Sequence, residues 1–201
     1  MTRRVTRIGL FGGSFDPVHN AHVALARSAL DALQLDELRW IPAGQPWQKS
    51  RPMTEAAARE AMVRLAIAGE ARFVLDRIEI ERPGPSYMAD TVEQLQAERP
   101  GAEWFLVIGA DQYAGLPTWH RWQDLLVRVT LAVAARPGPQ PVIDPRVLAS
   151  ARRSVPLPPL DISSTDLRRR LAAGADISTL VPPEVARYID QHRLYRAATG
   201  S

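Results

Sequence analysis

Residues 8–22 read IGLFGGSFDPVHNAH, and the order of their chemistry decides the fold. An apolar run from Val5 to Phe11, broken only by Thr6–Arg7, stops at Gly12–Gly13 and reads as a buried parallel strand. Ser14 follows, and Asp16–Pro17 lead into a stretch where Leu25–Ala26, Ala29–Leu30 and Leu33 recur at helical spacing. Asp16 can cap that helix with Pro17 in its first turn; a start nearer Asn20 fits equally well. Either start places His19 and His22 on one helix face, three residues apart, beside the N-terminus. Free backbone N–H groups and the helix dipole favour an anion there. Glycines let the backbone approach a phosphate, and imidazoles add donors or positive charge. A phosphate-holding site is the expectation. A zinc pair or two core histidines would be the alternatives, but the chain has no cysteine and only two further histidines, His120 and His192.

Outward from this unit, strand and helix alternate along the chain. Strands are expected at about 5–11, 37–41, 73–80, 103–108, 129–135 and, weakly, 153–157. Helices are expected near 19–34, 54–69, 89–98, 119–127, 143–151, 164–173 and 182–191. Thr54 is a candidate cap for the second helix, with Ala58, Met62, Leu65 and Ala66 as its apolar face. The fold class is therefore α/β, a Rossmann-like doubly wound parallel sheet with a small C-terminal helical lobe. Residues 1–160 would form the core, 161–196 the lobe and 197–201 a tail.

Composition limits the function. The 201 residues suit one domain, with 46% hydrophobic and 23% charged residues. No apolar run approaches the roughly 20 residues needed to span a bilayer, and MTRRVTR is not followed by a signal-peptide core. The absence of cysteine excludes thiolate chemistry and fits a cytoplasmic chain. A net charge of +3 permits polyanionic small molecules, while no basic stripe with interleaved aromatics points to nucleic acid. Of the 25 basic residues only Lys49 is a lysine, as expected where a compact ammonium on a flexible stem is needed. Neither G-x-G-x-x-G nor G-x-x-x-x-G-K-[ST] occurs.

Every distinctive motif falls just after an expected strand, where open α/β sheets bind ligands. IPAGQPWQKS (41–50) follows the second strand, GPSYMADTV (84–92) the third, and IGADQYAGLPTWHRW (108–122) the fourth. Ala134–Ala135–Arg136–Pro137–Gly138 follows the fifth strand. ISSTDLRRRL (162–171) is a capping box, Ser163 to Asp166, which puts Leu167 and Leu171 toward the core and Arg168 away from them. Ser164, Thr165 and Arg168 at that capped N-terminus form a second anion site, whereas Arg169 and Arg170 read as solvated charges.

Together these blocks resemble the H-x-G-H nucleotidyltransferase superfamily, most closely the bacterial nicotinate-nucleotide adenylyltransferases. Gly12 to His22 match the family's G-G-[TS]-F-D-P-[IV]-H-x-G-H apart from Ala21, and the likeness extends from residue 8 to 195. The resemblance implies adenylyl transfer from ATP to nicotinate mononucleotide, with Mg2+ as cofactor and no dense protein cage for the ion. It implies catalytic roles for His19, His22, Lys49 and Arg168. Gly12, Gly13, Ser14, Phe15, Gly109, Asp111, Ser163, Ser164 and Thr165 would bind ATP. Tyr87, Met88, Trp119 and Arg136 would bind the pyridine nucleotide, with Trp119 stacking on the ring and Trp122 packing away from it. Gln48 stands where the family has histidine, and Met88 where it has threonine. Another acceptor, either the amide mononucleotide or phosphopantetheine, and a non-catalytic nucleotide- or RNA-binding module are the alternatives. Oligomeric state is not legible.

Overall fold

The structure is a computed structural model and describes residues 4–46, 53–135 and 142–196. In chain order the elements are β1 Arg7–Gly13, α1 Asn20–Ala32, β2 Glu37–Pro42, α2 Ala56–Ile67, β3 Phe73–Leu75, α3 Ile78–Glu81, α4 Met88–Glu98 and β4 Glu103–Ile108. Then come α5 Ala110–Ala114, a 3-10 turn Leu116–Thr118, α6 Trp122–Arg128, β5 Thr130–Ala135, α7 Pro145–Leu148, β6 Arg152–Pro156, α8 Ser164–Ala172 and α9 Pro183–Gln191. The strands form one parallel sheet in the order β3-β2-β1-β4-β5-β6.

Alternation within the central strands feeds two apolar layers. Ile8 and Leu10 of β1, with Trp104, Leu106 and Ile108 of β4, pack on one face against Val92 and Leu95 of α4, Tyr113 and Trp122. Phe11, Phe105 and Val107 pack on the other face against α1, α2, α8 and α9. The expected stripe Leu25, Ala26, Ala29, Leu30 and Leu33 of α1 is buried in that second layer. A strand buried on both faces cannot alternate with polar residues, which is why β1 and β4 read as continuous apolar runs.

Several expected boundaries are corrected. The strand expected over 73–80 ends at Leu75, because the Asp76 carboxylate accepts the Ile78 N–H at 3.0 Å and turns the chain into α3. The helix expected over 119–127 is α6, Trp122–Arg128, and α5 and the 3-10 turn before it were not expected. Helix begins directly after β4 at Ala110, and Arg121, at φ 51°, interrupts it before α6. Helix 143–151 shrinks to α7, capped by Asp144. Glu55, not Thr54, stands at the N-cap of α2. The buried face of α2 comprises Arg59, Met62, Val63 and Ile67, while Ala58, Leu65 and Ala66 are only partly covered. Of the two starts open for α1, the later is observed, with His19 as N-cap residue.

Candidate active site

β1 and β4 lie side by side, and the helices that follow them pack on opposite faces of the sheet. This is the topological switch point of a doubly wound sheet, where a crevice opens beyond the carboxyl ends of the strands. Gly13 and Ser14 leave β1 there, and Gly109 and Asp111 leave β4. A Cβ at Gly109 would meet no atom within 4 Å, so this rim is open. A Cβ at Gly12 would meet the Met88 methyl group and push that flexible side chain aside.

Phe15 turns the chain under the histidines. Its φ of 48° is a left-handed conformation unusual for a bulky residue. Its ring, 1% exposed, is held edge-on by Phe11 at 5.5 Å and by His22 at 5.2 Å. The ring of Phe15 is thus part of the core, and its backbone forms the turn. Phe15→Ala should lower stability by about 3–5 kcal/mol, read as a fall in the urea midpoint at unchanged m.

His19 and His22 stack with ring centroids 3.6 Å apart and planes 21° from parallel. The His19 backbone N–H donates to Nδ1 of His22 at 3.2 Å. An accepting Nδ1 carries no proton, so neutral His22 bears its proton on Nε2 and is a hydrogen-bond donor through that atom. Burial first, and the neighbouring His19 second, hold the His22 pKa well below its ordinary value. His22 is therefore a neutral donor at pH 7, not a cation. It follows that below about pH 6.5 the unfolded chain gains a proton that folded His22 refuses. Stability is unaffected by this group above that pH and declines as pH falls toward the folded pKa. Urea unfolding at pH 7.0 and 5.5 should show a smaller acid loss in His22→Gln than in wild type.

The C-terminal segment brings the start of α8 to the loop before His19. Arg168 Nη1 donates to the Asp16 carbonyl at 2.7 Å, and Nη2 donates to Thr165 Oγ1 at 3.0 Å. Ser164 Oγ donates to the Pro17 carbonyl at 2.9 Å, and the Ser163 hydroxyl accepts the Asp166 N–H as the cap of α8. Arg169 and Arg170 pair with Asp166 on the exposed side of α8, as expected. Leu167 is fully buried and Leu171 packs on the same layer.

The opposite wall is built from α4 and the turn before α6. Tyr87 precedes α4 and stacks on His120 at 4.2 Å, while Met88 opens the helix. Arg121 ties this turn to α4 through Asp90 at 3.2 Å and Glu93 at 3.1 Å. The two tryptophans differ in burial. Trp122 is buried, with the Arg146 guanidinium 4.9 Å over its ring. Trp119 is only partly covered, and its buried indole N–H has no hydrogen-bond partner among the described residues. Asp111 is exposed in the first turn of α5. Lys49 and Arg136 lie outside the described residues.

Three polar clusters received no role in the sequence analysis: one on Arg59, one on Ser86 with Glu79, and one on Tyr195. The guanidinium of Arg59, 1% exposed, donates to the carbonyls of Thr54 at 2.9 Å, Ser14 at 2.9 Å and Gly44 at 3.4 Å. Ser86 Oγ accepts the N–H groups of Gly44 at 3.0 Å and Gln45 at 3.2 Å. Buried Glu79 accepts from Thr91 Oγ1 at 2.8 Å, and burial pushes its carboxyl above the ordinary range. The third is Tyr195, whose hydroxyl donates to Asp16 Oδ1 at 2.7 Å. Helical spacing carries the only early signal for Arg59, which stands in register with Met62 and Val63.

Comparison with known proteins agrees with this geometry. A family model described as cytidylyltransferase-like matches residues 10–170. A relative from Methylibium petroleiphilum is 54% identical over 200 residues, spanning 96% of this chain and 94% of its own length. One from Bordetella petrii is 48% identical over 197 residues, spanning 94% of this chain and 99% of its own. Both bear the name "Probable nicotinate-nucleotide adenylyltransferase". Two solved structures of a Plasmodium falciparum nicotinic acid mononucleotide adenylyltransferase, one complexed with APC and one with NaAD, share the fold at a TM-score of 0.79. They are 20% and 21% identical, and each match covers 94% of this chain and 97% of theirs. The chain belongs to the cytidylyltransferase-like nucleotidyltransferases and, within them, to the nicotinate-nucleotide adenylyltransferase family.

Proposed function

We propose that this site joins the 5′-phosphate of nicotinate mononucleotide to the α-phosphorus of ATP, releasing pyrophosphate and forming nicotinate adenine dinucleotide, a late step of NAD synthesis. The observation that carries the reading is the stacked His19–His22 pair at the switch-point crevice, with Arg168 fixed to the same loop through the Asp16 carbonyl. The attacking phosphate oxygen is already ionised near neutral pH, so no strong general base is required. One P–O bond forms as the Pα–O bond to the pyrophosphate breaks, and the negative charge passes to the leaving group. The chain's task is positioning and charge stabilisation.

In this proposal His22 donates its Nε2–H to a phosphate oxygen, His19 supports the same group, and Lys49 and Arg168 hold the pyrophosphate. The turn from Gly12 to Phe15 and the rim at Gly109 and Asp111 would receive the nucleotide, with Ser163, Ser164 and Thr165 serving its phosphates from α8. Tyr87, Met88, Trp119 and Arg136 would meet the pyridine nucleotide. Among the described residues no three His, Cys, Asp or Glu side chains could jointly hold a metal. Mg2+ would be held through the phosphates and water, where it would neutralise charge. ATP and nicotinate mononucleotide are the proposed partners and the cytoplasm the proposed compartment; no nucleic acid is required. No described helix is long and apolar enough to cross a membrane.

Pyrophosphate release measured with nicotinate mononucleotide, its amide counterpart and pantetheine phosphate tests the reading. The acid form should be turned over fastest and pantetheine phosphate not at all. Faster turnover of pantetheine phosphate, or no turnover of any acceptor, would overturn it.

A further inference from the structure

Beyond α9 the chain turns back sharply. Arg193 and Tyr195 both adopt left-handed backbone, at φ 51° and 63°, a strain that persists only where the surroundings impose it. The imposed position is specific. The Tyr195 hydroxyl donates to Asp16 Oδ1 at 2.7 Å, and the Thr54 side chain lies close to the same hydroxyl. Asp16 is fully buried, three residues before His19, and its carbonyl receives Arg168 at 2.7 Å. The next links of the loop are also gripped from the C-terminal segment: Ser164 holds the Pro17 carbonyl, and the Asn20 side chain donates to the Thr179 carbonyl at 3.0 Å. Thr54 in turn presents its carbonyl to Arg59, which also holds Ser14 and Gly44.

We propose that Tyr195 is a positioning residue of the transfer site. Its hydroxyl, placed between Asp16 and Thr54, sets the loop that carries His19 and the carbonyl that aims Arg168. A buried carboxylate beside a site for polyanions needs donors to hold it in one geometry, since an ionised group loses most when a buried partner is removed. Tyr195 supplies one such donor from the far end of the chain. Its ring packs on the apolar layer below, so deletion of the oxygen alone leaves that packing intact. Tyr195 touches no reacting atom in this account; it acts through Asp16. The inference rests on the adenylyl-transfer reading, and wild-type turnover of nicotinate mononucleotide tests that reading separately.

The experiment is Tyr195→Phe in the full chain, alone and combined with Arg168→Ala, assayed by pyrophosphate release at saturating ATP and mononucleotide. The single substitution should lower kcat about ten- to hundredfold and leave both KM values within about twofold of wild type. In the double variant the losses should not multiply, because Tyr195 and Arg168 act through the same residue; the combined enzyme should be about as slow as Arg168→Ala alone. A general structural role would instead lower kcat in proportion to the folded fraction, measured by thermal melting, and would multiply with Arg168→Ala. Either of those results, or a kcat within twofold of wild type in the single variant, would overturn the proposal.

Discussion

His22→Ala should reduce kcat by about 10²–10³-fold, which corresponds to about 3–4 kcal/mol of transition-state stabilisation. The two nitrogens of this ring have different duties, and the amide substitutions separate them. Nδ1 accepts the His19 N–H at 3.2 Å, while Nε2 carries the remaining proton. Asparagine places an oxygen where Nδ1 lies but has no atom at the Nε2 position. His22→Asn should therefore keep the start of α1 and lose nearly as much rate as alanine. Glutamine extends an N–H toward the Nε2 position and should recover part of the loss. Because burial and His19 keep His22 neutral well below its ordinary pKa, the acid limb of kcat that belongs to this residue should lie below about pH 6.5. Equal rates for the asparagine and glutamine variants would show that Nε2–H is not the group that matters. A rate loss in His22→Asn that vanished on lowering the temperature would point to unfolding instead.

The histidine pair was legible because its carriers are local. An apolar run, two glycines and a helical stripe lie in one continuous segment, and stacking of His19 on His22 follows once α1 begins at Asn20. The sheet was legible for the same reason: β1, β4 and β5 are dominated by apolar residues, and β2 carries Leu38, Trp40 and Ile41 into the core. What failed was governed by side chains acting on distant or adjacent backbone. Asp76 ends β3 by capturing one N–H two residues on, although FVLDRIEI looks uniformly strand-like. Phe15 carries its ring into the core at a left-handed φ of 48°, a placement that nothing in its motif announces. Tyr195 and Arg59 bind partners separated from them by 179 and 45 residues. Arg59 in particular bonds to carbonyls, which every residue type possesses, so its acceptors leave no signature in the sequence.

Arg59→Met should be the most destabilising of the polar substitutions, by about 3–5 kcal/mol. The methionine chain fills much of the volume of α2's inward face, so the cost comes from the polar end. Carbonyls of Ser14, Gly44 and Thr54 each lose a donor from a group only 1% exposed, and each deserted acceptor costs about 1–3 kcal/mol when water cannot replace the bond. The planar guanidinium reaches three directions at once. An ammonium has three N–H donors but all on one atom, so Arg59→Lys cannot span three carbonyls served by separate nitrogens and should recover less than half of the loss. Urea midpoints at constant m would measure both values. The consequence reaches the site as well, since Ser14 continues the turn under the histidines while Gly44 and Thr54 bracket in sequence the stretch that contains Lys49. Gly44 itself has no room to adapt, because a Cβ there would strike the Glu79 carbonyl and its N–H is already committed to Ser86. The folded fraction of Arg59→Lys should accordingly show a raised KM for ATP, and a wild-type KM together with a wild-type urea midpoint would remove Arg59 from the architecture of the site.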